Sequence, residues 1–340
     1  MINRNSRILR AAVIGGTLAL ISGCASQTGS KVLPPQAAQP GRPPLSMHAP
    51  YAITSGLDGN LWFTEYQGDG VGRITPYGDT RRIPIEKDSF AERVIAGPDG
   101  SIWFTDTVSN RIGRVDADGK TTYIKLPHPD SGPVGITTSR DGNIWFTEHA
   151  GDRVGRLAMS AQITEFEMPK GSGPAEIISG PDGNLWVAED RGNRIAKVTT
   201  SGQVTEFAIV TPDSHPAMMT VGADGNVWFT EPPVDKIGRI TEQGKITEFP
   251  LPTPGVPLGI ASGSDKNLWV TVVRAHLIYR VTPEGNFTAF NTPPASAPTF
   301  IVAGPDGNLW FTEPNGKIGR LAVSGQLTEF VFSDPQKNAN

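Results

Sequence analysis

Five residues stand at irregular positions in a chain that otherwise repeats: Glu92, His149, Glu176, Asp190 and His215. Their side chains are the ones that move protons. A histidine or a desolvated carboxylate can act as a base, provided that the reacting proton lies within hydrogen-bond reach. The same groups are oxygen and nitrogen donors for metals, although a single carboxylate is too few for a hard cation. Tyr51, Tyr66 and Arg93 occupy matching positions and would add aromatic faces and a rigid fork of donors. Glu92, His149 and His215 are therefore the catalytic candidates. Tyr51, Tyr66, Arg93, Glu176 and Asp190 are the ligand-binding candidates. Loop tips are polar by default, so only convergence in space would give these residues a role. His128 and His276 read as ordinary loop residues.

The elements that must position them are set by tryptophan. The 340 residues contain seven, at 62, 103, 145, 186, 228, 269 and 310, a repeat of 41 or 42 positions from each to the next. Such a period marks a repeat array. Each unit holds four short β-prone runs separated by turn residues, with no apolar period of helical length. Four strands in about 40 residues, seven times over, predicts an all-β, seven-bladed β-propeller with four antiparallel strands per blade, over residues 46–333. Each Trp should be an apolar wedge between blades. The start of strand one and the loop between strands two and three then open on one face, so the eight candidates gather at one channel mouth.

Local signals fit this layout. Asp-Gly, as at 58–59 and 224–225, should supply the positive-φ pair of the hairpin between strands one and two. The sixth repeat has Asp265-Lys266 there, which predicts a looser turn. A second glycine closes the hairpin between strands three and four, with Ala161 replacing it in the third repeat. The residue three after each Trp is Glu65, Asp106, Glu148, Glu189, Glu231, Val272 and Glu313, and strand three carries Arg73, Arg114, Arg156, Lys197, Arg239, Arg280 and Arg320. These acids and bases are expected to pair within each blade, leaving Arg280 in need of another partner. The last repeat has its own fourth strand, so the ring should close by packing. A strand from residues 31–45 paired into blade seven would overturn that.

The N-terminus reads as an export signal. Arg4, Arg7 and Arg10 precede an apolar run over 11–21 that is too short for a permanent membrane helix. It ends in Ile21-Ser22-Gly23-Cys24, and Cys24 is the only cysteine. This resembles a bacterial lipobox, which predicts a signal peptide over 1–23 and lipid on Cys24. Ala25 after the cysteine points to the periplasmic face of the outer membrane. Residues 24–45 are a Pro-rich tether, and 334–340 a C-terminal tail. One cysteine excludes an internal disulfide framework and a cysteine-based zinc site. A formal charge of −4 without a basic block in the repeats argues against nucleic acid. A monomer is expected.

The pattern G-P-D-G-N-L-W-F-T-E, then K-I-G-R-I-T, then I-T-E-F, is best seen at 181–189, 224–250 and 305–320. It resembles the streptogramin B lyase (virginiamycin B lyase) family across all seven repeats. The resemblance implies a seven-bladed propeller that opens a cyclic depsipeptide by elimination at an ester, using Mg²⁺. It also implies Pro-His pairs at the start of strand one in two blades, one His being the base. The matching slots here hold Tyr51, Glu92, Val134, Ala175, Ala217, Leu258 and Thr299. A family glutamate precedes one pair; those slots hold Ala49, Phe90, Gly132, Gly173, His215, Val256 and Ala297. A second metal-binding glutamate lies four after the Trp, where this chain has Tyr66, Thr107, His149, Asp190, Pro232, Val273 and Pro314. The family's catalytic set is thus missing as a set. The leading expectation is a lipid-anchored propeller that binds a small-molecule or peptide-like ligand at the mouth. The enzyme alternative is a Mg²⁺-dependent lyase, or an ester hydrolase, using Glu92, His149, Asp190 or His215. A third reading is a scaffold for an envelope protein, which would need an apolar rim that Phe287, Phe290 and Phe300 are too scattered to form.

Overall fold

A run such as Leu185-Trp186-Val187-Ala188-Glu189 is apolar on both faces of a strand, and all five residues are buried. Such a strand needs cover on both sides, unlike the half-exposed strand of an open sheet. The computed structural model, which describes residues 49–66 and 68–332, supplies the cover by stacking seven sheets around an axis. Each sheet has four antiparallel strands in chain order. Blade one comprises Ala49–Ser55, Leu61–Tyr66, Gly70–Ile74 and Thr80–Pro84; blade seven ends with Leu327–Val331. First strands of successive blades lie against each other and line the centre. This is the seven-bladed propeller that the Trp period predicts. The expected signal sequence, Cys24, and the expected tether and tail lie outside the described residues.

Each Trp wedges into the next blade. Trp145 packs with Ile177, Leu185, Val187 and Val198 of blade four, and Trp228 with Ile260, Leu268, Val270 and Val281 of blade six. Trp310 joins Ile53, Leu61, Phe63 and Ile74 of blade one. That contact closes the ring, helped by Thr312 Oγ1 donating to the Tyr51 carbonyl at 2.6 Å and Phe332 packing edge-on to Phe63. Among the described residues no strand is exchanged between the ends.

The turns differ from expectation in two respects. In the first hairpin Gly56 N donates to Asn60 O and Gly59 N to Gly56 O, but only Gly59 has positive φ, at 75°. This is a three-residue loop with a left-handed third position, rather than a pair of positive-φ residues. The aspartate serves as an acceptor: Asp58 takes hydrogen bonds from Asn60 N and Trp62 Nε1. Nor is the sixth turn looser. Lys266 adopts φ 63° and the same two backbone bonds form, because Asp265 still takes Asn267 N and Trp269 Nε1.

The expected acid–base pairing is also corrected. Arg73 is the direct cross-strand partner of Trp62, so both lie on one face, whereas Glu65 is three residues along and faces the other way. The strand-three cation instead lies over the Trp, as with Arg239 5.3 Å from the Trp228 ring, and reaches the turn aspartate, as in Arg114–Asp99 at 2.8 Å. Arg280 lies over Phe290. On the opposite face the acid meets the first residue of strand three: Asp106–Arg111 and Glu148–Arg153, both 2.8 Å. In blade one the cation comes from strand four, Arg82 to Glu65 at 2.7 Å. Blade six has lost acid and cation together, and Val272 faces Leu277.

In four blades the buried acid also confronts a strand-four glutamate, Glu148 meeting Glu165 in blade three. Burial, reinforced by Glu206, pushes Glu189 up to about 8; burial and Glu248 push Glu231 up to about 8; burial and Glu329 push Glu313 up to about 7. Unfolded glutamates titrate near ~4.3, so between these values the folded chain holds more protons than the unfolded one. Its stability therefore falls as pH rises through that interval. Thermal unfolding should show a midpoint lower by about 5 °C or more at pH 9 than at pH 5.5. Glu189→Gln should flatten this slope, and an unchanged slope in that variant would show that the shared proton is elsewhere.

Candidate functional site

Strand one begins irregularly in five blades, with register shifts at Pro50/Ile53, Ala91/Val94, Pro174/Glu176, Pro257/Ile260 and opposite Phe146/Glu148. An extra residue of this kind re-aims side chains, and here it opens the channel wall to side chains. Ala91 faces Asp106 and Val94 faces Phe104, just as Pro174 faces Glu189 and Ile177 faces Val187. Glu92 therefore stands in the slot where the resemblance implies a histidine. The equivalent Ala217 and Thr299 carry no base; Thr299 is buried against Thr312.

The next slot along strand one builds the channel floor. Arg93 Nε donates to Glu176 Oε2 at 3.0 Å, joining blades two and four. Blade three has Gly135 in this slot, so no side chain stands between them. Arg93 also lies 4.6 Å from the Phe300 ring and 5.9 Å from the Tyr51 ring, and its Nη2 is 3.4 Å from Met218 Sδ. One guanidinium thus meets blades one, four, five and seven. Tyr51 packs on Tyr66 and Phe300, and Tyr66 on Phe90, so blades seven, one and two present an aromatic wall. Burial pushes the carboxyls of Glu92 and Glu176 up, against the pull of Arg93, and pushes the Tyr51 hydroxyl well up.

The polar wall belongs to blades two to five. His215 Nδ1 donates to Asp190 Oδ1 at 2.8 Å, and His149 Nε2 approaches Asp190 Oδ2 at 3.4 Å. Arg191 Nη2 lies 3.3 Å from His149 Nδ1. His149 can satisfy both neighbours as the neutral Nε2–H tautomer, donating to the carboxylate and accepting from the guanidinium. Although burial works against it, Asp190 is held well below the usual carboxylate range by its hydrogen bonds from the two histidines. The bond to Asp190 raises His215, whose side chain is 46% exposed. His215 also sits at φ 45°, the left-handed slot filled by Gly132 and Gly173 in earlier blades. A half-exposed histidine oriented by a carboxylate has the geometry of a general base.

All eight candidates lie at this one mouth. Comparison of slots missed Thr107, Arg191, Met218 and Phe300; of these, Met218 and Phe300 share the slot of Arg93 and Glu176, so moving the comparison one residue would have found them. His276 is more than a loop residue: its Nδ1 accepts from Ala297 N, the role that Asn110, Asp152 and Asp235 play for other blade connections. The residues do not fit a Mg²⁺ centre. Both Asp190 oxygens face histidines, Glu176 is taken by Arg93, and among the described residues no three His, Cys, Asp or Glu side chains converge as ligands.

The fold is a seven-bladed propeller, and the side chains clustered about its axis make a two-sided candidate site. The chain belongs to the virginiamycin B lyase family, whose sequence model matches residues 41–173 and 169–339. A solved streptogramin B lyase shares 35% identity, with a TM-score of 0.78 over 85% of this chain and 96% of that one. Selenomethionine-substituted virginiamycin B lyase from Staphylococcus aureus shares 37%, with a TM-score of 0.77 over 82% and 96%. A catalytically inactive histidine-to-alanine variant of the S. aureus enzyme, solved with quinupristin, superposes at 0.76 over the same shares.

Proposed function

We propose that this protein binds a peptide-like ligand carrying aromatic and amide groups at the channel mouth. The observation that carries the reading is the two-sided wall: Phe300, Tyr51, Tyr66 and Phe90 on one side, and Glu92, His149, Asp190 and His215 on the other. Few convergent polar groups beside an aromatic surface suit a ligand of that kind, and the quinupristin complex of the S. aureus relative supports the choice of probe. The His215–Asp190 pair favours a second reading, proton abstraction and ring opening by elimination. The missing strand-one histidines count against it.

Purified protein titrated with quinupristin should bind it, and His215→Ala should weaken binding about tenfold by removing one polar partner. Unaltered binding in that variant would remove the polar wall from the site. Mass spectrometry of the same mixture separates the readings: a linear product of unchanged mass is elimination, a gain of water is hydrolysis, and no product leaves binding alone. Among the described residues the exposed large apolar side chains Leu57, Tyr77, Met159, Val210 and Val331 lie apart on four blades and form no rim of the kind the scaffold reading needs.

The same proposal places the propeller on the periplasmic face of the outer membrane, as a monomer held by lipid on Cys24. Metabolic labelling with a radioactive fatty acid should mark the wild type and leave Cys24→Ser unlabelled and released from membranes. Equal labelling of both would end the lipid assignment.

A further inference from the structure

We propose that Glu92 is held as a neutral carboxylic acid whose carbonyl oxygen, Oε1, works with Arg93 Nη1 as an acceptor–donor pair that reads an amide group of the ligand. The ligand half of this rests on the mouth-binding reading; the protonation half stands on proton counting at Thr107. Thr107 Oγ1 lies 2.7 Å from Glu92 Oε2 and 2.6 Å from the Pro133 carbonyl oxygen. A hydroxyl has one proton to give, and a backbone carbonyl can only accept. If Thr107 donates to Glu92, two bare oxygens face each other at the Pro133 contact, buried and without a proton between them. If Thr107 donates to Pro133, the contact with Glu92 is a hydrogen bond only when Oε2 carries the proton. The second arrangement satisfies every group.

The surroundings agree. Glu92 is wholly buried, and desolvation disfavours its charged form. Arg93 pulls toward ionisation, while Glu176, the Tyr51 hydroxyl and His149 in its neutral tautomer add no positive charge. Arg93 has already committed Nε to Glu176, which balances its charge. Burial, the largest influence, pushes the Glu92 carboxyl up.

With Oε2 donating to Thr107, Oε1 is a carbonyl-type acceptor. It is buried without a hydrogen-bond partner among the described residues, and so is Arg93 Nη1, while the Tyr51 hydroxyl faces the guanidinium. Unpaired buried polar atoms are costly, and a ligand that supplies what they lack gains by it. One acceptor and a neighbouring donor complement the N–H and C=O of an amide. A carboxylate would offer Oε1 only repulsion, and an ammonium group would meet the guanidinium.

Two measurements separate the halves. A difference infrared spectrum of ligand-free wild type against Glu92→Gln at pH 7 should show the carbonyl stretch of one protonated carboxylic acid, the bands of Glu189, Glu231 and Glu313 cancelling because both proteins carry them. No such band at pH 7, in a variant that melts cooperatively, overturns the protonation; if that variant fails to fold, the difference spectrum against Glu92→Leu decides the same point. N-acetylphenylalaninamide should then bind at least about tenfold tighter than N-acetylphenylalanine. Equal binding overturns the amide assignment. Binding of neither overturns it together with the mouth reading, while the infrared result, which needs no ligand, stands by itself.

Discussion

Arg93→Met is expected to cost about 3–5 kcal/mol of folding stability, because it strands a buried carboxylate. Glu176 is 8% exposed on its side chain and has Arg93 as its ion-pair partner at 3.0 Å. Methionine reproduces the length of the apolar stem, so packing against Phe300 and Met218 is largely kept and the loss is electrostatic. Glu176 can limit the loss by taking a proton, which makes the penalty larger at pH 8 than at pH 5. Arg93→Met combined with Glu176→Leu should recover most of the stability, since a buried pair replaced by apolar residues is often neutral. Denaturant unfolding of the two single variants and the double variant measures the coupling. A loss below about 1 kcal/mol in the single variant would mean that water already reaches the pair.

Trp228→Ala should cost a similar amount, about 3–5 kcal/mol. Trp228 has no solvent exposure. Its ring stacks on Phe249 with centroids 5.2 Å apart, under Arg239, and its Nε1 donates to Asp224 at 3.1 Å. Removing it leaves a void between blades five and six and takes one aromatic face from under Arg239, which keeps Phe249, Asp224 and the Pro283 carbonyl oxygen. Trp228→Phe should cost less, about 1–3 kcal/mol, since it keeps the wedge but loses the turn bond. Chemical denaturation gives the magnitudes, and hydrogen exchange locates the damage. Protection lost first in blades five and six would agree with a wedge between them; uniform loss would point to the closed ring acting as one unit.

Much of this molecule is written in its periodicity. The Trp spacing carries the blade number, because each blade needs one large apolar wedge and a closed ring cannot hide a missing one. The four strands of each blade follow from turn residues at fixed offsets. Where the repeat was misread, the cause was strand parity. Trp62 and Glu65 are three residues apart and must face opposite sides, so the Arg opposite Trp62 could never reach Glu65. The alternation was legible, but the register between strands two and three, which makes Arg73 and not Gly70 the partner of Trp62, becomes visible only when the hairpin is folded.

The site divides in the same way. Residues that break the repeat at the strand-one start and after strand two could be named from the chain alone, since equal slots in seven blades define what is ordinary. Their partners could not. Arg93 and Glu176 are 83 residues apart and in non-adjacent blades, and Asp190 meets His149 from the blade before and His215 from the blade after. No spacing along one dimension encodes which side chains meet across an axis. The sequence by itself determined the repeating unit, the number of blades and the positions freed from scaffold duty. Ring closure decided the rest: it brings the starts of seven strands to within side-chain reach of a single line, and there burial, not sequence, settles which groups keep their charge.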